Sequence, residues 1–333
     1  MSLVEESRNK TPGIIYETND IENLIYSSVL GLRPEAEKIN KKLSVRKNNN
    51  DLKLLISEVL FINRYVENDD SVILYIGAGP GTHISKLIKM YPNMKFHLYD
   101  SEQINVEESE NVRIFNKKFT MEDCTNYDNS VYIITDFKDT KYDRDESFIT
   151  THEKNKWQAD KELSYLGDMI LQRDICVEIK PKAAFLRFRP SHYYSGINDP
   201  LDSFEYFSGV IWMMIYNDYK STESRLAVTD FTITNFKWSI QTYQYKLNFF
   251  NYIVRESLAL NPFTNDSTPL PNQLGNKFET VMMVKIILEY FRVIGIFKPR
   301  ISEIMSFYSD FLVVESCRDI DLCDLGDMQL IDN

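Results

Sequence analysis

Short apolar runs alternate with helical stripes through most of this chain, the pattern that a sheet flanked by helices produces. Leu52, Leu55, Ile56, Val59, Ile62 and Val66 recur at helical spacing behind Asp51 and three asparagines, which offer an N-cap. Val72–Ile76 follows as an almost wholly apolar run, the signature of a strand buried on both faces. Ile84, Leu87, Ile88 and Tyr91 then mark a second helix. Further strands are predicted at 94–99, 112–119, 130–136, 183–190, 210–216 and 225–231, with a turn at 220–224 and a helix over roughly Asn155–Asp174. From Asn235 onward the pattern is helical. The expected fold is α/β, a seven-stranded, mostly parallel sheet with helices on both faces and helical C-terminal additions.

The chemistry-bearing stretch lies between the first strand and the second helix. Gly77, Gly79 and Gly81, with Pro80 among them, join a buried strand to a helix N-terminus. Glycines there let the backbone turn sharply and let a ligand approach closely. The spacing is not the dinucleotide pattern, and no Gly-Lys-Ser/Thr follows, which excludes a P-loop. Asp100 ends the second strand nineteen residues after Gly81, placed to accept hydrogen bonds from ribose hydroxyls. A compact glycine turn with such an acid suits S-adenosylmethionine, which has a ribose but no pyrophosphate. The competing reading is a structural glycine turn in an unrelated α/β protein.

Other features stand out chemically. Asp136 ends the fourth strand at the same sheet edge as the glycine turn. Lys53 falls in the first turn of its helix, where a cation opposes the macrodipole, so a lysine without an acidic partner there implies a task. Arg187 and Arg189 leave one face of the fifth strand, costly in a core and natural beside phosphates. Lys38, Lys41, Lys42, Arg46 and Lys47 form the strongest basic run, read either as a solvated loop or as a phosphate-contacting segment.

Composition adds limits. Of 333 residues, 43% are hydrophobic and 13% aromatic, which is globular. A net charge of −11 argues against a protein that coats nucleic acid with its whole surface, though not against a local basic groove. Four cysteines and four histidines are scattered, so neither a zinc site nor a disulfide framework is indicated, and a reducing compartment is expected. No apolar run approaches the ~20 residues that span a bilayer, and the first residues lack a signal-peptide core.

Several stretches taken together resemble a known family: DLKLLISEVLFI, VILYIGAGPGTHI, the strand ending in Asp136, STESRL and YQYKLNFFNYIVR. Over about residues 10–300 the chain is similar to the poxvirus-type cap-specific mRNA 2′-O-methyltransferases, which double as the small, regulatory subunit of the viral poly(A) polymerase. The resemblance implies a Rossmann-like S-adenosylmethionine-dependent methyltransferase fold over residues 51–260. An N-terminal arm with the basic segment (1–50) precedes it, and a helical extension (261–318) and an acidic tail (319–333) follow.

The family's catalytic Lys-Asp-Lys-Glu set falls on Lys53, Asp136, Arg187 and Glu223. Arg187 is the departure, because an arginine does not act as a base at any ordinary pH. Three consequences are open: weakened catalysis, substitution by Lys180 or Lys182, or loss of methylation. The resemblance places cofactor contacts at Asp51, Tyr75, Gly77, Gly79, Gly81, Asp100, Thr120 and Asp136, several through backbone. Asp51 stands where the family has Gln, and Glu102 or Gln103 where it has Arg. For the cap and RNA it implies Tyr26, Tyr193 or Tyr194, Ser221 and Arg189, with the basic Lys41, Lys42 and Arg46. Gln244 stands where the family reads the cap edge with Glu.

The function expected is cap-dependent methyl transfer from S-adenosylmethionine to the first transcribed ribose, yielding S-adenosylhomocysteine and needing no metal. The alternative is an inactive or weakened RNA- or cap-binding processivity subunit; a methyltransferase for another substrate fits Lys53 and Glu223 less well. Expected partners are the capped mRNA 5′ end and a poly(A) polymerase catalytic subunit or another capping or transcription protein, without a membrane. The expected location is a cytoplasmic site of viral or virus-like replication, with packaging in virions.

Overall fold

Strand β1 (Val72–Ile76) lies inside the sheet, and its residues Ile73, Leu74 and Tyr75 have no solvent exposure. Such burial on both faces requires helices on both sides of the sheet. The computed structural model describes residues 50–136, 151–190, 203–217, 221–251, 286–297 and 299. Their elements run α1 (Asn50–Tyr65), β1, α2 (Ile84–Met90), β2 (Lys95–Tyr99), β3 (Val112–Phe115), a 3-10 turn (Met121–Asn126) and β4 (Tyr132–Thr135). Next come α3 (Thr151–Ile179), β5 (Ala183–Phe188), β6 (Ser203–Tyr206), β7 (Val210–Trp212), β8 (Ser224–Val228), β9 (Phe236–Ser239), α4 (Ile240–Phe249) and a last helix, α5, over 286–293.

Seven strands form one sheet in the order β3-β2-β1-β4-β5-β8-β7. The pairs from β3 to β5 are all parallel, whereas β8 runs antiparallel to both β5 and β7. The order reverses between β1 and β4, and at such a switch point the loops beyond the strand ends part to leave a crevice. All seven strands fall on the expected hydrophobic runs, though β7 stops at Trp212 rather than 216 and β8 at Val228 rather than 231. The third stops at Phe115 rather than 119, because Lys117 and Lys118 are exposed and belong to the connection.

The C-terminal third corrects one expectation. Residues 236–239 are not helical: they form β9, which pairs antiparallel with β6 in a separate two-stranded sheet. Phe204, Tyr206, Phe236 and Trp238 alternate there with polar residues, and Trp238 packs edge-on against Phe188 at 5.2 Å. Trp238 Nε1 donates to the carbonyl of Phe207 at 2.9 Å. The small sheet thereby covers the outgoing end of β5. The α4 helix starts only at Ile240, where the Ser239 hydroxyl accepts the Thr242 N–H.

Helix α1 buries Leu52, Leu55, Ile56, Val59 and Ile62 of the stripe foreseen from its sequence, and Phe61, outside that stripe, as well. Phe61 stacks on Phe185 of β5 at 4.9 Å, and α1 also packs against α2. Burial of each such side chain contributes roughly 1.5–3 kcal/mol, so α1 is held in place by its apolar face while its N-terminal turn reaches the sheet's carboxyl edge. Helix α3 is longer than expected at both ends, Thr151–Ile179 against Asn155–Asp174. Among the described residues no helix is long and apolar enough to cross a membrane, and no group of three His, Cys, Asp or Glu is placed to hold a metal ion.

The arm 1–49 with Tyr26, Lys41, Lys42 and Arg46, the loop 137–150, Tyr193 and Tyr194, most of the extension and the acidic tail lie outside the described residues.

Candidate functional site

The glycine turn is built against the end of β2. Gly77 and Ala78 both donate N–H groups to the carbonyl of Tyr99, at 2.8 and 3.1 Å. Gly77 and Gly81 have φ of 89° and 77°, which a side chain disfavours. Gly79 is required for space: a Cβ there would lie 3.0 Å from the Asp100 carboxyl carbon. Asp100 accepts the Gly79 N–H at 2.8 Å and the Glu102 N–H at 2.8 Å, one on each oxygen. Its half-exposed carboxylate retains lone pairs for a further donor.

The fourth strand joins this turn directly. The Asp136 N–H donates to the carbonyl of Ile76 at 2.9 Å, one residue before Gly77. The Asp136 carboxylate accepts from Arg225 Nη2, and Arg225 Nη1 donates to the carbonyl of Thr135. Arg225 also reaches Glu223 Oε1 at 3.4 Å. Glu223 Oε1 lies 3.7 Å from Lys53 Nζ, and its Oε2 accepts from Arg187 Nη2 at 3.3 Å. Two carboxylates and three cations thus form one continuous cluster from the glycine turn to the end of β5.

The strand register explains the cluster. Arg187 and Arg225 are direct partners across the antiparallel β5–β8 pair. Like charges so placed repel, and both are deeply buried, at 8% and 1% exposure. Glu223 between them, with Asp136 beyond Arg225, removes the conflict. Burial alone raises the Glu223 carboxyl, but Arg187, Lys53 and Arg225 outweigh it and hold the group well below the carboxylate range. Burial works against the Arg187 and Arg225 cations, yet Glu223 and Asp136 raise both above the ordinary arginine value. Both are permanent cations.

The cluster revises what the sequence implied for several residues. Lys53 does have an acidic partner, Glu223, which lies 170 positions along the chain and so is invisible to local reading. Lys180 and Lys182 cannot replace Arg187. They precede β5, where the Lys182 N–H bonds the Val131 carbonyl and its ammonium lies over Tyr132 and near Glu67. Five residues of strand, roughly 16 Å, separate Lys182 from Arg187. Arg225 is the residue that sequence reasoning missed. Its signal was a charged residue in a strand that otherwise reads as core, opposite another arginine.

Arg189 is half-buried, its guanidinium stacked on the Tyr165 ring at 3.8 Å and paired with Glu162 at 3.3 Å. Arg187 lies over the same ring at 5.5 Å, which bears out their shared strand face. The Ser221 hydroxyl accepts the Glu223 N–H at 3.2 Å and so shapes the turn that presents Glu223. Gln244 is half-buried on α4, next to Tyr243, whose hydroxyl donates to the Thr222 carbonyl at 2.8 Å. Asp51 is exposed in the first turn of α1. The Thr120 hydroxyl is taken up by Asp123 in a capping box at the 3-10 turn.

Tyr75 offers only its backbone to the crevice. Its ring is in the core, and its hydroxyl donates to Glu58 Oε1 at 2.6 Å. His83, the residue preceding α2, brings Nε2 within 3.2 Å of that hydroxyl and 3.3 Å of Glu58 Oε1. Burial disfavours the imidazolium, but Glu58 more than offsets this and the His83 pKa is raised. This buried trio ties the glycine turn to α1, one turn beyond Lys53.

Residues 20–293 match the family model described as poly A polymerase regulatory subunit. That is well over half of the chain, and the chain belongs to this family. No curated protein matches the sequence.

Proposed function

We propose that this member of the poly A polymerase regulatory subunit family also methylates the first transcribed ribose of capped mRNA at its 2′-oxygen, using S-adenosylmethionine. The observation that carries the reading is the continuous cluster from Ile76 and Asp136 through Arg225 and Glu223 to Lys53 and Arg187, at the switch point of the sheet. A methyltransferase needs a nucleoside cradle and an array of charges side by side at one edge, and both are supported here by backbone and side-chain contacts.

The residues present fit the cofactor. The Gly77–Gly81 turn would admit it closely, Asp100 has acceptor capacity for a ribose hydroxyl, and Asp136 beside the turn suits a cationic ammonium. Asp51 and the backbone of Tyr75 and Thr120 would complete the cradle. When bound, S-adenosylmethionine would supply a sulfonium methyl: as the S–C bond breaks and the bond to the 2′-oxygen forms, the hydroxyl proton would pass to water and S-adenosylhomocysteine would be left.

Arg187 orients the ribose hydroxyl by donating to its oxygen and stabilises the negative charge that develops there. It takes no proton, since burial is outweighed by Glu223 and Asp136, which keep it cationic. Lys53 adds a second cation to the same edge, and Glu223 fixes both. Holding the hydroxyl aligned is the main catalytic contribution open to such a site. Arg189, Ser221 and Gln244, with the basic arm and Tyr26 and Tyr193, would hold the cap and RNA. As a regulatory subunit the chain would act with a poly(A) polymerase catalytic subunit, in the cytoplasm.

A second reading keeps the RNA and polymerase functions without methyl transfer. It is favoured by Arg187 alone, whose guanidinium is tied to Glu223 and lies 5.5 Å from the Tyr165 ring centre. Labelled methyl transfer from S-adenosylmethionine to matched capped and uncapped RNAs decides between them. Cap-dependent label in the first ribose supports methylation. No label in wild type, with label appearing in Arg187→Lys, shows the chemistry was lost at this residue; no label in either, with cofactor binding absent, refutes the cofactor reading.

A further inference from the structure

Helix α3 carries a row of side chains that begins at the charged cluster and runs away from it. The row is anchored by Gln172, which accepts the Arg187 N–H at 2.9 Å and donates to the Arg187 carbonyl at 3.1 Å. Two turns earlier on the same face is Tyr165, then Lys161, then Trp157, at the spacing of four that keeps residues on one helix face. Lys161 Nζ lies 4.7 Å from the Trp157 ring and 6.0 Å from Tyr165, and Arg189 covers Tyr165 at 3.8 Å. Cations and aromatic rings thus alternate outward from Arg187.

Two further observations point to an anionic ligand. The Nε atoms of both Arg187 and Arg189 are buried without a hydrogen-bond partner, and Arg187 is only 8% exposed. Two cations, Lys161 and Arg189, lie along the outer row, Arg189 paired with Glu162. Interleaved rings and cations are how proteins follow a single-stranded nucleic acid, rings taking bases and cations taking phosphates.

We propose that Trp157, Lys161 and Arg189, arrayed around Tyr165, form a track for the RNA chain that continues from the reacting nucleotide. A base packs against Trp157, and successive phosphates meet Arg189 and Lys161. From residue 157 to 165 the helix rises about 12 Å, the reach of roughly three to four stacked nucleotides at about 3.4 Å each. The track therefore contacts RNA beyond the first nucleotide and leaves the cap itself untouched. This rests on the RNA-binding part of the function proposed above.

The test is binding of the full chain to capped RNAs of two and eight nucleotides, with Trp157→Ala, Trp157→Phe and Lys161→Ala compared with wild type. Trp157→Ala and Lys161→Ala should each weaken binding of the eight-nucleotide RNA about fivefold or more and leave the two-nucleotide RNA unaffected. Lys161→Ala should also lower the salt slope by about one. Trp212 and Trp238 are buried, at 2% and 5% exposure, so RNA-dependent quenching of tryptophan fluorescence should come from Trp157. It should vanish in Trp157→Phe, which retains a ring and most of the affinity. Equal binding of the long RNA by wild type and both alanine variants overturns the track while leaving the proposed function standing. Failure of wild type to bind either RNA overturns the function itself, and the track with it.

Discussion

Glu223→Gln tests the charged cluster most directly, because one carboxylate faces three cations. Its Oε1 lies 3.7 Å from Lys53 and 3.4 Å from Arg225, and its Oε2 lies 3.3 Å from Arg187. Glutamine keeps the size and one acceptor but removes the charge and turns an amide N–H₂ toward a cation. At an effective dielectric of ~20, one ion pair at 4 Å contributes about 4 kcal/mol. Desolvation of the charges offsets much of that sum, and breaking a buried pair costs about 3–5 kcal/mol in practice. The low end, about 3 kcal/mol, applies here because the Glu223 side chain retains 13% exposure. At about 2–4 °C per kcal/mol, the melting temperature should fall by about 6–12 °C at neutral pH. The pH dependence is also fixed. Glu223 is depressed in the folded chain, so its stabilisation is present above the unfolded value, about 4.3, and is lost as pH falls through the folded value. The gap between wild type and variant, followed by urea unfolding under circular dichroism, should narrow as the solution becomes strongly acidic. A fall of less than about 2 °C at neutral pH, or a gap unchanged in acid, would refute the claim that Glu223 neutralises the cluster.

Two other substitutions probe the glycine turn and the trio beneath it. Gly79→Ala sets a Cβ 3.0 Å from the Asp100 carboxyl carbon and 3.2 Å from the Glu102 Cβ, so the Asp100 carboxylate must shift. Affinity for S-adenosylhomocysteine by calorimetric titration should drop about tenfold with a stability loss of only about 1 kcal/mol; an unchanged affinity contradicts Asp100 as the ribose acceptor. His83→Gln removes an imidazole faced by Glu58, with Asp136 and Asp51 further off. Because the folded His83 pKa is raised, its stabilisation is complete below the unfolded value of about 6.5 and is lost as pH rises through the folded value. Wild type should therefore exceed the variant in urea midpoint by more at pH 6 than at pH 9, and equal differences would show that His83 carries no charge in the fold.

The order of elements was legible in the sequence because each depends on local pattern. Five apolar residues at 72–76 read as a doubly buried strand, and three glycines followed by a helical stripe read as a turn into a helix. All seven strands of the main sheet follow from such runs. The β6–β9 sheet did not, since β6 is only four residues long and β9 runs into the start of an apolar and aromatic helix, so neither gives a separate period. Its pairing also depends on residues 30 to 36 positions apart. Lys53, Asp136, Arg187 and the glycine turn with Asp100 stood out by local pattern, and family resemblance added Glu223.

What only the tertiary structure decided is how those charges satisfy one another. Lys53 read as a lone cation at a helix start, and Arg187 as a misplaced substitute for lysine. The β5–β8 register sets Arg187 opposite Arg225, and the turn before β8 carries Glu223 between them and Lys53. Lys182 precedes the opposite end of β5, bonded to Val131, and Tyr75 of β1 turns inward to Glu58. A sequence specifies which groups are charged and which stretches must be buried. Which charge neutralises which is fixed only when strands pair, because burial makes an unpartnered charge intolerable and the partner is supplied across the sheet rather than along the chain.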